Sequence, residues 1–155
     1  VGMQKEFDID TNMISLRDDA RRFEYGGKHI PMYTAFSTTI ELAEEIGMEH
    51  IVERQRQLND YCRKTFKERL PQAVILSPED DRLKSGIFAF SLPGTDHRKL
   101  VRDAFAQQGI IIQYRTVDLR SKKEGIRVSN NWFVREAEID ELVDFLCGYL
   151  SKKGE

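Results

Sequence analysis

The chain has 155 residues, a length typical of one domain, and 40% of them are hydrophobic against 32% charged, an ordinary globular profile. A chain of this size buries roughly 68–70% of its unfolded surface, so a substantial core is expected. With 24 basic and 26 acidic residues, the net charge of −2 provides no general attraction to nucleic acid, and no apolar run is long enough to span a bilayer.

The first residue is Val1 and the first methionine is Met3, which indicates a piece of a longer protein or a residue left from cloning. No charged-then-apolar leader opens the chain, so a cytoplasmic protein is expected. Cys62 and Cys147 both lie in helical patterns among large apolar residues. Buried free thiols in a reducing compartment are the simplest account, and a disulfide between the two cysteines is also compatible with the sequence.

Residues 1–20 have no clear period and are predicted to be an extended arm or connector with one weak strand, preceding a domain at residues 21–155. Aspartates alternate with apolar residues in this arm, at Asp8, Asp10, Asp18 and Asp19. The glycine and glutamate that complete a calcium loop are absent at the required spacing. No metal site is therefore predicted.

Residues 21–31 form a predicted loop with several groups that could bind an anion. Gly26 and Gly27 let backbone N–H groups face an anion, and Lys28 and His29 add charge or donors. The loop runs into a helix, whose N-terminus also favours anions. The alternative is a plain Gly-Gly turn with solvated basic residues, and the spacing of a P-loop is absent.

Apolar periodicity predicts four helices, at residues 33–46, at 48–69, from a cap at Thr95 or Asp96 to a stop at Gly109, and at 136–150. Each should bury one apolar stripe. The stripes, in chain order, are Phe36, Ile40, Ala43 and Ile46; Ile51, Leu58, Cys62 and Phe66; Leu100, Val101, Ala104 and Phe105; and Ile139, Leu142, Val143 and Leu146.

Short β-branched or aromatic runs predict strands at residues 73–76, 86–92, 110–114 and 126–128. Residues 115–123 are predicted to be a basic loop carrying Arg120, Lys122 and Lys123. Helices and strands do not alternate as in a βαβ fold. The order favours an α+β fold, with a small, mostly antiparallel sheet and helices packed on one face.

Arg127 stands in the middle of the last predicted strand, between Ile126 and Val128. Because side chains alternate along a strand, Arg127 should face away from both neighbours and offer its fork of donors to a carboxylate or phosphate. The alternative is an edge-strand arginine that is solvated or paired with a surface acid. The sequence contains no nucleophile elbow, no zinc-type cluster and no Rossmann fingerprint, so the visible parts bind anions and do not complete a catalytic set.

Three stretches in order resemble the C-terminal part of class V, fold-type I, pyridoxal-phosphate (PLP) enzymes. This group includes class V aminotransferases, cysteine desulfurases and isopenicillin-N-epimerase-like proteins. The stretches are Arg-Phe-Glu-Tyr-Gly-Gly at 22–27 with residues 44–51, Ser-Gly-Ile-Phe-Ala-Phe at 85–90 with Leu-Pro-Gly at 92–94, and Gly-Ile-Arg-Val-Ser at 125–129 with residues 136–142. Together they cover nearly the whole chain from about residue 21 onward.

The resemblance implies that Arg127 grips the α-carboxylate of an amino-acid substrate. It also implies that Gly27, Lys28 and His29 lie near the cofactor phosphate of the neighbouring subunit in a homodimer. The family loop usually reads Gly-Thr or Gly-Ser, and Gly26-Gly27 lacks that hydroxyl. No cysteine lies between residues 112 and 127, which favours the aminotransferase or epimerase-like branch over the desulfurases.

The expected function is therefore that of the small C-terminal domain of a class V PLP-dependent aminotransferase-like enzyme. In this family a large preceding domain supplies the Schiff-base lysine, and that domain is absent here. No catalytic residue is assigned to this chain, which alone is predicted to be inactive and not to hold PLP. The alternatives are a free-standing, non-catalytic module that binds a small molecule or protein, and a dimerisation or scaffold piece. Neither nucleic acid nor a membrane is an expected partner.

Overall fold

The computed structural model describes residues 4–24, 29–118 and 123–152, which belong to two compact units, Val1–Leu42 and Ala43–Glu155. In the first unit, β1 (Gln4–Asp8) pairs with β2 (Met13–Leu16) in an antiparallel hairpin. The Asp8 carboxylate closes the turn by accepting the N–H groups of Asp10 at 2.9 Å and Thr11 at 3.2 Å. The prediction of one weak strand in this arm is therefore wrong, because the second strand supplies the pairing that an isolated strand lacks.

Helix α1 (Ile30–Ile46) begins three residues earlier than predicted and ends where predicted. Its predicted buried stripe is wrong: the side chains of Phe36 and Ile40 are 65% and 44% exposed, and Ala43 and Ile46 are only half-buried. The periodicity locates an apolar face correctly, but periodicity carries no information about what covers that face. The described residues leave it open to solvent.

Three helices belong to the second unit: α2 (Met48–Arg69), α3 (His97–Gln108) and α4 (Glu136–Ser151). Their predicted bounds are confirmed to within a residue. Gly47 separates α1 from α2 with φ of 89°, a conformation that strains other residues. At the start of α3 the Asp96 carboxylate accepts the Lys99 N–H at 2.9 Å, and Gly109, in the left-handed conformation, ends this helix.

The sheet of the second unit contains β3 (Val74–Ile75), β4 (Ile87–Ser91), β5 (Gln113–Asp118) and β6 (Lys123–Ser129). The spatial order is β3-β4-β6-β5, and every neighbouring pair is antiparallel. The α+β fold with a mostly antiparallel sheet is confirmed.

Two strand predictions need correction. Residues 110–112 precede β5, because the Ile110 N–H still bonds the Ala104 carbonyl at 3.3 Å as the chain leaves α3. Arg115 lies within β5 and Lys123 begins β6, so both ends of the predicted basic loop are strand residues. Arg120 and Lys122 lie outside the described residues.

Helices α2, α3 and α4 pack on one face of this sheet. The Phe66 ring of α2 lies 5.0 Å from that of Phe88 and 4.7 Å from that of Phe90, both on β4. The predicted stripes of α2 and α4 are confirmed as buried. On α3, Phe105 is 62% exposed, contrary to expectation, because it lies beyond the edge of the face that buries Leu100. Among the described residues no helix is both long and apolar enough to cross a membrane.

Candidate anion-binding site

The second face of the sheet carries Arg127. The register pairs Arg127 of β6 with Ala89 of β4 on one side and with Gln113 of β5 on the other. Residues paired across strands share a face, and so does Arg115, which lies two positions beyond Gln113. We call Arg127, Gln113 and Arg115 the arginine face; it lies opposite the helix-covered side.

One amide oxygen holds both guanidinium groups of the arginine face. A terminal nitrogen of Arg127 donates to Gln113 Oε1 at 2.6 Å, and a terminal nitrogen of Arg115 donates to the same oxygen. The Arg127 side chain is half-buried, and its Nε is buried without an acceptor. Within the described part of the chain, neither arginine forms an ion pair with a carboxylate. The arrangement therefore leaves donors and positive charge for an external anion.

Sequence reasoning located Arg127 on a strand but missed Gln113 and Arg115. The sequence predicts a basic loop at Arg115, whereas in the structure Arg115 lies in β5 and its side chain points to the same face as that of Arg127. The available signal was composition, since Tyr114 and Thr116 are aromatic and β-branched residues that favour a strand.

Of the three residues predicted near a cofactor phosphate, Gly27 and Lys28 lie outside the described residues. His29 is exposed at the start of α1, where its Nδ1 accepts the Met32 N–H at 3.3 Å. With Met32, Tyr33 and Phe36 it lines an apolar depression of about 360 Å³.

The cysteines offer no nucleophile at this face. Both are free thiols; Cys62 is buried and Cys147 half-buried. Burial raises the pKa of the Cys62 thiol to about 11, although the Asn130 side-chain amide donates to its sulfur at 3.2 Å. At neutral pH Cys62 is therefore a protonated core residue.

The least exposed of the described lysines is committed to ion pairs. Lys84 is the one described lysine that is not exposed, and its ammonium donates to Asp60 at 2.7 Å and Asp81 at 2.5 Å. These two bonds raise the pKa of Lys84 and oppose the neutral amine that a Schiff base needs. The described residues also contain no group of three or more side chains able to hold a metal ion.

Comparison with known proteins gives consistent matches in sequence. The family model described as "Aminotransferase class-V" matches residues 2–142. Isopenicillin N epimerase of Streptomyces clavuligerus is 32% identical over 128 residues, which are 81% of this chain and 31% of that protein.

Solved structures match the fold. The apo cysteine desulfurase of Thermococcus onnurineus NA1 superimposes with a TM-score of 0.74 at 16% identity, over 97% of this chain and 38% of that one. A cysteine desulfurase of Escherichia coli gives 0.72 at 17% identity, over 97% and 37%. A cystine C–S lyase, solved with its product cysteine persulfide, gives 0.67 at 19% identity, over 94% and 36%. This chain therefore spans roughly a third of the length of the proteins it matches.

Proposed function

The chain belongs to the class V aminotransferase family, and we propose on that basis that residues 21–155 form the small C-terminal domain of a PLP-dependent enzyme acting on an amino acid. In this proposal Arg127 binds the carboxylate of the substrate, and a large domain supplies the lysine that holds PLP. The observation that supports it is the half-buried Arg127 guanidinium, which is held on the open sheet face by Gln113 and forms no ion pair with a described carboxylate.

In such an enzyme this chain would bind the substrate and orient it. When PLP is bound by the complete enzyme, it supplies the electron sink for chemistry at the α-carbon. Arg127 fixes the substrate by its carboxylate, and the bond to Gln113 Oε1 restricts the guanidinium before the substrate arrives. Charge-assisted hydrogen bonds of this kind contribute roughly 1.5–3 kcal/mol.

We further propose that the enzyme is a homodimer in which the loop before α1 faces the cofactor phosphate of the neighbouring subunit. Gly27, Lys28 and His29 are the residues of this loop. Support comes from His29, which is exposed at the N-terminal end of a 17-residue helix, where the helix dipole favours anions.

The first test replaces Arg127 in the complete natural protein. Arg127→Ala should raise KM for the amino-acid substrate about 10- to 100-fold, since it removes charge-assisted bonds, and should leave the cofactor absorbance unchanged. Arg127→Lys should recover only part of the loss, because an ammonium lacks the planar fork. Steady-state kinetics and absorption spectra measure both quantities.

The matched control is Arg102→Ala, since Arg102 is an exposed arginine of α3, away from the arginine face. It should leave KM unchanged. An unaltered KM in Arg127→Ala would remove Arg127 from the substrate site.

A second candidate function is a non-catalytic module that binds a small anion. The observation in its favour is that β5 and β6 of this chain alone assemble the arginine face. Calorimetric titration of residues 1–155 with amino acids, without PLP, separates the two candidates. Binding that Arg127→Ala abolishes supports the module, and binding that requires the complete enzyme supports the catalytic role.

A further inference from the structure

The arginine face contains a second guanidinium, that of Arg115. It is not needed to bind the single carboxylate assigned to Arg127. We propose that Arg115 is a second anion-binding residue, and that the ligand is an amino acid whose side chain carries a second carboxylate. This inference rests on the proposed function of Arg127 and extends it to the substrate class.

The geometry places the two arginines side by side. A terminal nitrogen of each lies within hydrogen-bonding distance of Gln113 Oε1, so these two nitrogens are at most about 5 Å apart. Two like charges at this separation repel each other, and the amide oxygen between them is neutral. The amide oxygen therefore positions both guanidinium groups and leaves their positive charges uncompensated.

The side chains described on this face do not supply the missing negative charge. None of them is acidic: Ala89 and Ser91 of β4 and Ser129 of β6 accompany the arginines, and Lys123 at the start of β6 adds a further positive charge. Glu124 of β6 points to the opposite face, where it accepts the Tyr114 hydroxyl and lies 4.0 Å from His97 Nδ1. Charge complementarity therefore calls for an external ligand with two negative charges.

The two guanidinium groups also differ in burial. We use this difference to assign one carboxylate of the ligand to each arginine. Arg127 is half-buried and lies in the inner strand β6, whereas Arg115 is exposed and lies in the edge strand β5. The deeper group suits the carboxylate common to all amino acids. The outer group suits a carboxylate at the end of a side chain, so Arg115 selects among substrates.

L-Glutamate and L-glutamine test the inference, since they have the same size and differ in one charge. Calorimetric titration of the complete natural protein should show glutamate binding about 10-fold or more tightly than glutamine. Arg115→Gln should abolish this preference by weakening glutamate alone, and Arg115→Lys should restore part of it. Arg102→Gln is the control and should leave both affinities unchanged, and thermal melts should confirm that each variant is folded.

The outcomes for the two proposals are distinct. Equal affinities for glutamate and glutamine in the natural protein, or an equal loss of both in Arg115→Gln, would overturn the assignment of Arg115. The carboxylate role of Arg127 would survive that result if Arg127→Gln weakened both ligands. Absence of glutamate binding in the natural protein would also overturn the dicarboxylic assignment. An Arg127→Gln variant that binds both ligands normally would refute the carboxylate role of Arg127 itself.

Inorganic phosphate serves as a further probe, because it carries between one and two negative charges at neutral pH and has no amino group. Phosphate that binds as tightly as glutamate, and depends equally on Arg115, would mean a general dianion site and would overturn the dicarboxylic assignment. Phosphate binding much weaker than that of glutamate supports it.

Discussion

At the scale of single residues, the neutrality of Gln113 governs the arginine face. Its side-chain oxygen restricts two guanidinium groups without cancelling their charge. A carboxylate at the same position would accept the same bonds and also cancel one of the two positive charges. The amide is therefore suited to a face that must remain attractive to an anion.

This argument predicts the effect of Gln113→Glu. The new carboxylate should form ion pairs with Arg115 and Arg127, raise the free energy of unfolding by about 0.5–1 kcal/mol, and weaken glutamate binding at least about 10-fold. Thermal melts should show the gain in stability, and calorimetry should show the loss of glutamate affinity. A variant that gained stability and kept its affinity would show that anions bind elsewhere.

At the scale of elements, α4 is held to α2 by a two-pronged ion pair. Arg54 of α2 donates to Glu136 Oε1 at 2.6 Å and to Oε2 at 3.0 Å, and also to the Val134 carbonyl at 3.1 Å. Glu136 is the first residue of α4, where the helix dipole adds to the stabilisation of its charge. These contacts fix the start of the helix that follows β6.

The hydrogen bonds from Arg54 lower the pKa of Glu136 from the usual 4.5 to about 2. A depressed pKa in the folded state means that the contribution to stability is complete above about pH 4.5 and is lost as pH falls toward 2. We expect Glu136→Gln to reduce the free energy of unfolding by roughly 0.5–1 kcal/mol at pH 7, since this half-exposed pair is screened by solvent.

The difference in unfolding free energy between the natural protein and Glu136→Gln should shrink between pH 4.5 and 2, as urea denaturation at several pH values would show. A difference that stays constant with pH would assign the effect to packing.

The sequence predicts the helices well, because glycine and proline mark where a helix begins and ends. It predicts the strand bounds poorly, because pairing with a neighbouring strand decides them. Helix α2 was placed correctly because Gly47 and Pro71 bracket a long periodic stripe. Strand β5 was misplaced because Ile110, Ile111 and Ile112 have strong strand propensity, while pairing with β6 decides where the strand starts. The arginine face was missed for the same reason, since only the register brings Arg115 and Gln113 to Arg127.

At the scale of the whole molecule, the sheet has one packed side and one open side. The packed side places Phe66, Phe88 and Phe90 in edge and tilted ring contacts with no exposed surface. The open side carries the polar groups proposed to bind a ligand. The packed face of the four strands therefore provides stability, and the opposite face carries the proposed binding site.

This division predicts contrasting effects for two phenylalanines. Phe66→Ala should lower the free energy of unfolding by about 3–5 kcal/mol, because it leaves a cavity in the core. Phe36→Ala, at a side chain that is 65% exposed, should change it by less than about 0.5 kcal/mol. Denaturant unfolding of both variants measures the contrast, and similar losses would show that α1 contributes to the core.

The register of β5 against β6 also limits where this chain can accept an inserted or deleted residue. Substitutions in β5 alter one side chain at a time, but one codon inserted between Gln113 and Arg115 would shift the phase of the residues on one side of it. Either Gln113 or Arg115 would then be turned toward the hydrophobic core. The register already shifts between Thr116 and Asp118, so the hairpin can absorb an added residue there. Insertions and deletions should therefore be confined to the register shift between Thr116 and Asp118, where a residue can be added without exchanging the two faces of the sheet.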